Sequence, residues 1–325
     1  MNTQYIAHPS LNKAKGQRGV ALVTAMLVVV LSVMLIEYLL TQHQVVFRLI
    51  EQQRMQAQAQ QVLDAGVNWA RRILEEDGRN SVQDSLSESW AVALAPTPVN
   101  DIQVAQGSNQ APVSNAKADA VLSGKIEDAQ ARYNLRNLFV ETLTATGAQR
   151  TPNDKELATL RRIFTASGVS ESLVEKLSNA LVLPRASGLS GPLNLITVDD
   201  LRAVEGFSDE VIQKLRPVLV VLPSATPLNL NTASAMLIAA RVEGLDNASA
   251  QRLVQERDRA TLKDLADVSS RLPDKTLQLN PSEVSVSTQF FLLNGQVQYR
   301  DVTAWRTTLV ARDAITTRLV WERPW

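Results

Sequence analysis

Side chains able to do chemistry are scarce in this sequence, and the scarcity excludes whole classes of function. Cysteine is absent, which removes thiol catalysis, zinc–thiolate sites and disulfides. The two histidines are His8 and His43. One precedes a long apolar run and the other follows just after it, so neither is placed to serve a folded active site. That removes the commonest general base and disfavours a catalytic triad. Acid pairs such as Asp199–Asp200 read as helix-start or solvent-facing residues, and no EF-hand loop occurs.

The spacing richest in chemical content is a repeat. Leu201–Leu215 and Ala239–Leu253 each contain Val-Glu-Gly-apolar followed by an amphipathic stretch, and Asp264–Val268 opens a weaker third copy. The unit looks like a helix–hairpin–helix, or SAM-like, fold. In nucleic-acid-binding versions a G-x-G turn offers backbone N–H groups to a phosphate. Here the second glycine is missing: Phe207 and Ser208 follow Gly206, and Leu245 and Asp246 follow Gly244. Glu205, Glu243, Asp209 and Glu210 flank the turns, and such acids repel phosphate and forfeit counterion release. With 33 basic and 33 acidic residues, the chain is no general nucleic-acid binder. The repeat therefore predicts a compact helical unit used for protein contacts.

These turns need elements to hold them. Val20–Ile36 is uncharged, and continuing to Leu40 adds only Glu37. At 1.5 Å per residue this stretch crosses a hydrocarbon core of about 30 Å as a helix. No proline occurs from Thr41 to Glu76, so the helix is expected to continue. Residues 51–61 hold six glutamines and read as exposed. Ala59, Val62, Leu63, Gly66, Ala70, Ile73 and Leu74 then recur at three- and four-residue spacing, a stripe facing a core. Asp77–Gly78 is the expected stop. Residues 20–76 would make a rod of roughly 85 Å.

Residues 78–118, rich in Ser, Asn, Gln and Pro, read as irregular. Ala120–Ile126 and Gln130–Leu135 read as two short strands about Glu127–Asp128, with Asn134 or Asn137 capping a following helix. Residues 139–280 read as mainly helical, with helices at Asp154–Ala166 and Glu171–Leu183, the second stopped by Pro184. Asn231 or Thr232 is expected to cap a helix. In the tail, Glu283–Leu293 reads as a strand and Asn294–Gly295 as a hairpin turn. Gln296–Asp301, Val302–Arg312 and Thr316–Glu322 continue an antiparallel set that completes the sheet begun near Ala120. Trp305 and Trp321 read as packing residues.

The leader before the apolar run carries Lys13, Lys15 and Arg18 and no acid, which keeps the N-terminus cytoplasmic and puts the C-terminal part on the far side of the membrane. Three readings compete for it: a removable secretory signal, a plain uncleaved anchor, and a prepilin-type leader. The first needs a small-x-small site after a short apolar run, and TQHQVVFR offers none. The third rests on Gly19 followed at once by Val20–Ala21–Leu22, which resembles the type IV pilin and type II secretion pseudopilin family. The resemblance implies that prepilin peptidase cuts between Gly19 and Val20 and that Val20 is N-methylated. That family usually carries Glu at the fifth mature position; here Thr24 stands there. A carboxylate in lipid needs a partner, and its absence suits a first or terminal subunit. IEDAQARYNLRNL at Ile126–Leu138 is similar to a run in K-type pseudopilins (the general secretion pathway protein K family), which lack this Glu.

The resemblance implies an α+β fold: a long pilin-like N-terminal helix on an antiparallel sheet, with a large inserted helical domain. It divides the chain into leader 1–19, transmembrane helix 20–40, helix extension 41–77, pilin-like part 78–136, helical insert 137–280 and strands 281–325. It implies a minor pseudopilin of the pseudopilus tip in the inner membrane, with a periplasmic C-terminal domain and no enzymatic activity. The implied partners are I- and J-type minor pseudopilins, also the H type, prepilin peptidase and the inner-membrane assembly platform. No cofactor is expected. Calcium on loop carboxylates is compatible with the resemblance, but no spacing selects a ligand set. The rival readings are a membrane-anchored helix–hairpin–helix DNA-binding protein, a minor pilin of a type IV pilus, and an anchored periplasmic enzyme.

Overall fold

The computed structural model describes residues 18–99, 120–144, 147–183, 192–313 and 315–324. The leader to position 17 and Pro184 lie outside them. Helix α1 spans Arg18–Asn80, and the chain divides into two compact units between Ala57 and Gln58. In the first, Gly19–Leu40 is an apolar helix of 22 residues with mean hydropathy 2.8, exposed throughout. Valine-rich sequence is a modest helix former in water, but in lipid the backbone has no other way to satisfy its hydrogen bonds.

In the second unit the apolar stripe of α1 meets a five-stranded antiparallel sheet. Ala59, Leu63 and Leu74 are buried, with Val67, Ala70 and Ile73 partly buried beside them. The helix does not stop at Asp77–Gly78: the Ser81 N–H still donates to the Asp77 carbonyl at 2.8 Å. Arg312 holds the Asp77 carboxylate at 2.7 Å, so a tertiary contact carries the last turn past the glycine. The strands are β1 (Leu94–Pro98), β2 (Ala120–Asp128), β9 (Phe290–Tyr299), β10 (Val302–Arg312) and β11 (Thr317–Pro324), in the order β1-β2-β9-β10-β11. β1 falls in the stretch read as irregular. It is an edge strand, where Pro96 and Pro98 are tolerated.

Asn294–Gly295 makes no turn. Both residues lie mid-strand in β9, and the chain reverses instead at Arg300–Asp301, with Arg300 at φ +50°. The glycine serves close approach: a Cβ on Gly295 would sit 3.2 Å from Leu63 Cδ2 on α1. The opposing Gly124 has even less room, its Cβ falling 2.6 Å from the Asn294 carbonyl oxygen. The run Phe290–Leu293 is continuously apolar because both sheet faces are covered. Phe291 and Leu293 pack toward α1 with Leu74 and Trp90, whereas Phe290 and Leu292 pack with Ala129, Val220 and Leu222.

Residues between β2 and β9 form the insert, which has its own apolar core. The expected strand Gln130–Leu135 is not one: a 3-10 turn (Ala129–Ala131), the two-residue β3 (Tyr133–Asn134) and a second 3-10 turn (Leu135–Leu138) replace it. Asn134 caps that second turn, its side chain accepting the Arg136 N–H. A hairpin unexpected from sequence follows, β4 (Phe139–Thr144) and β5 (Gly147–Pro152). Phe139 lies between the guanidinium groups of Arg136 and Arg150, at 4.6 and 4.4 Å.

Helices α2 (Asp154–Ala166) and α3 (Ser172–Val182) lie where periodicity placed them. Next come α4 (Asp209–Leu215), β6 (Leu219–Val220), β7 (Leu228–Asn229), α5 (Ala235–Arg241), α6 (Asn247–Arg259), α7 (Leu265–Arg271) and β8 (Val284–Ser285). Ser234, not Asn231 or Thr232, caps α5. Short parallel pairs β3–β6 and β7–β8 stitch the insert together.

Candidate functional site

Gly19 and Val20 sit in the opening turn of α1 and are exposed. A Cβ on Gly19 would meet nothing within 4 Å among the described residues. The first turn of a helix also lacks intrahelical partners for its N–H groups and frays most readily. Thr24 lies one turn on. Its hydroxyl donates to the carbonyls of Val20 and Ala21, both at 3.0 Å. This side chain is neutral and satisfied within its own helix, so it makes no demand on a neighbour's amine.

The hairpin turns are built for packing. Gly206 and Gly244 have φ of +96° and +83°, which favours glycine. A Cβ on Gly206 would fall 2.6 Å from Leu173 Cδ2, and one on Gly244 would fall 3.0 Å from Leu277 Cδ2. The charges around the first turn pair with each other: Lys176 with Glu205 at 3.1 Å, Arg202 with Asp209 at 2.6 Å, Lys214 with Glu210 at 3.1 Å. A leucine side chain thus packs against each turn glycine. Farther in, Arg241 of the second repeat pairs with Glu156 at 2.5 Å, and the Tyr133 hydroxyl donates to the same carboxylate.

The run Ile126–Leu138, in which the sequence shows no chemistry, is the polar seam between insert and sheet. Asp128 is buried; its carboxylate accepts from the Gln130 N–H (2.7 Å), Asn229 Nδ2 (2.8 Å) and the Thr232 hydroxyl (2.5 Å). The Gln130 side chain donates to the Pro227 carbonyl and accepts from the Gln289 N–H. Asn134 reaches Ser224 and Thr226 and accepts the Leu222 N–H; Asn137 both donates to and accepts from the Thr226 backbone. Asn231 and Thr232, expected as helix caps, belong to this seam. No sequence signal marks it: Asp128, Gln130, Asn134 and Asn137 look like turn or cap residues, and only the fold buries them together. Burial pushes the Asp128 carboxyl up from its ordinary range, against the pull of the Thr232, Thr288, Asn229 and Gln130 donors.

Beside the seam lies an acidic cluster, Asp77, Asp84 and Glu88, with one oxygen from each lying within 4.8 Å of the others. Asp84 is pushed up to about 6, chiefly by burial, with Asp128 adding to the effect and Arg312 opposing it. Burial raises Asp77 as well. Arg312 binds both Asp77 and Asp84. Glu88 Oε2 accepts from the Ser85 N–H at 2.8 Å and from Trp90 Nε1 at 2.9 Å.

Two family models described as type II secretion system (T2SS), protein K match residues 131–224 and 228–287, the insert with its seam and both hairpin turns. The type II secretion system protein K of Pseudomonas aeruginosa is 24% identical over 314 residues, covering 88% of this chain and 86% of that protein. Among solved structures, a chain of the GspK-GspI-GspJ complex from the type 2 secretion system of enterotoxigenic Escherichia coli matches with a TM-score of 0.64. It is 18% identical, and the match covers 85% of this chain and 99% of the other; that likeness speaks to fold alone. The pilin-like helix on an antiparallel sheet, the helical insert between adjacent strands and the protein K matches along that insert together identify this chain as a member of the type II secretion system protein K family.

Proposed function

We propose that this chain is a minor pseudopilin of the type II secretion system, a structural subunit of the pseudopilus tip complex that starts assembly and supports export across the outer membrane. The observation that carries the reading is α1: one apolar span, uncharged at position 24, in a chain whose head is the pilin-like fold of the protein K family. In this reading the chain assembles with I- and J-type minor pseudopilins, and further with the H type and the inner-membrane assembly platform. The span sits in the bacterial inner membrane and the head lies in the periplasm. Prepilin peptidase removes residues 1–19 and Val20 becomes the methylated N-terminus. The protein acts as an assembly factor and catalyses nothing itself. Nucleic acid plays no part in this reading, since the turns lack a second glycine and acids flank them, Glu205, Asp209 and Glu210 already pairing with nearby Lys and Arg side chains.

Two measurements test this. Mature protein isolated from cells with an active peptidase should give an N-terminal sequence beginning at Val20; a chain starting at Met1 would sink the processing claim. Deletion of the gene should abolish export of type II substrates, and the full chain should co-purify with I- and J-type pseudopilins. Unimpaired export together with failure to co-purify would remove the tip assignment.

A further inference from the structure

The guanidinium of Arg312 occupies an oxygen cage. Nη1 donates to Asp77 Oδ2 at 2.7 Å and to the Leu74 carbonyl at 3.3 Å; Nη2 donates to Asp84 Oδ1 and to the Thr288 carbonyl at 3.4 Å. Its carbon lies 4.7 Å above the Phe291 ring. Asp84 uses its other oxygen to accept the Thr288 N–H at 2.7 Å. One cation thereby ties together the last turns of α1, the loop after it, the entry to β9 and the end of β10.

Two carboxylates and two main-chain carbonyls, with Glu88 a third carboxylate alongside, are the hard oxygen donors a calcium ion takes. Here they surround a side chain that is always charged and covalently part of the fold. Without a cation between them, Asp77 and Asp84 could not both stay ionised at low cost, because close buried carboxylates need a counter-charge or a shared proton. A calcium ion added to the cage would lie beside the guanidinium and replace its hydrogen bonds, so the donor set does not fit a metal while Arg312 is present.

We propose that Arg312 is a built-in cation at this joint, that the fold here is therefore independent of divalent metal, and that removing the guanidinium turns the cluster into a calcium site. The experiment uses the full chain in detergent. Thermal unfolding is followed with calcium chloride or with EDTA, and calcium binding is followed by calorimetry. The wild type is expected to unfold at the same midpoint in both. Arg312→Gln should lower the EDTA midpoint by roughly 10 °C, and calcium should restore about half of that loss through one site that a second change, Glu88→Gln, abolishes. A calcium-induced rise in the wild type that disappears in Glu88→Gln would overturn the proposal, because calcium would then occupy the cluster beside Arg312. A rise of equal size in both proteins reads a site elsewhere and leaves the cluster metal-free, as proposed. An Arg312→Gln chain with no calcium response would also overturn it, since the cluster would then be no cation cage. If Arg312→Gln does not fold, Arg312→Lys keeps the charge: folding indifferent to calcium supports the proposal, and folding that requires calcium sinks it.

Discussion

Asp128 holds three donors from the insert and its own turn on one buried carboxylate, and a seam made this way is sensitive to single atoms. Asp128→Ala strands those donors and should destabilise the chain by about 2–4 kcal/mol, read as a drop in unfolding midpoint, whereas Asp128→Asn keeps the shape and should cost less. Asp84 makes a prediction of opposite sign to ordinary acid denaturation. Its folded value, about 6, lies above its unfolded value near 3.9, so the folded chain binds the proton more tightly. The penalty for ionising it is complete above pH 6 and is relieved as pH falls from 6 toward 4, a difference of about 3 kcal/mol. Wild type should therefore gain stability relative to Asp84→Asn over that window; parallel pH profiles would refute the assignment. Neither residue announces itself in the sequence. An aspartate in a strand-ending run looks like a turn residue, and only the fold brings the Asn229 and Thr232 donors to it.

Between elements, the glycines show where sequence signals mislead. Asn–Gly between apolar strands is the strongest short-range mark of a hairpin, yet Gly295 lies mid-strand because Leu63 of α1 presses on the sheet there. The turn signal and the close-approach signal are the same residue, and only the partner element decides between them. Gly124→Ala drives a Cβ against the Asn294 carbonyl oxygen and should cost about 1–3 kcal/mol, seen as a lower unfolding midpoint. Faster amide exchange confined to the β2–β9 ladder around Gly124 would fit a local clash between the two strands. Helix signals proved more readable, since they depend on neighbours in sequence. The α2 start at Asp154 and the stripe from Ala59 to Leu74 follow from periodicity and caps alone. The hairpin β4–β5 gave no such signal: its strands are polar on one side, and Phe139 is held by two arginines supplied by folding.

For the whole molecule, the membrane helix makes the most direct prediction. Because the Thr24 hydroxyl bonds only to its own helix, Thr24→Val should leave export in a complemented deletion strain unchanged, whereas Gly19→Leu should block processing and abolish export. A Thr24→Val chain that fails to export would mean the hydroxyl serves a neighbouring subunit. The placement of the insert has a further consequence. It leaves the sheet after Asp128 and returns before Phe290, and Asp128 pairs with Phe291 in the antiparallel ladder. Two neighbouring antiparallel strands ordinarily need only a two-residue turn between them, and lengthening a loop raises its closure cost only logarithmically. The helical domain thus occupies the position of a single hairpin turn. A lineage could acquire, enlarge or exchange it while keeping the strand order of the scaffold, provided that Asp128, Phe290 and Leu292, which face the insert, change with it; β2 and β9 are the two points at which such a graft would begin and end.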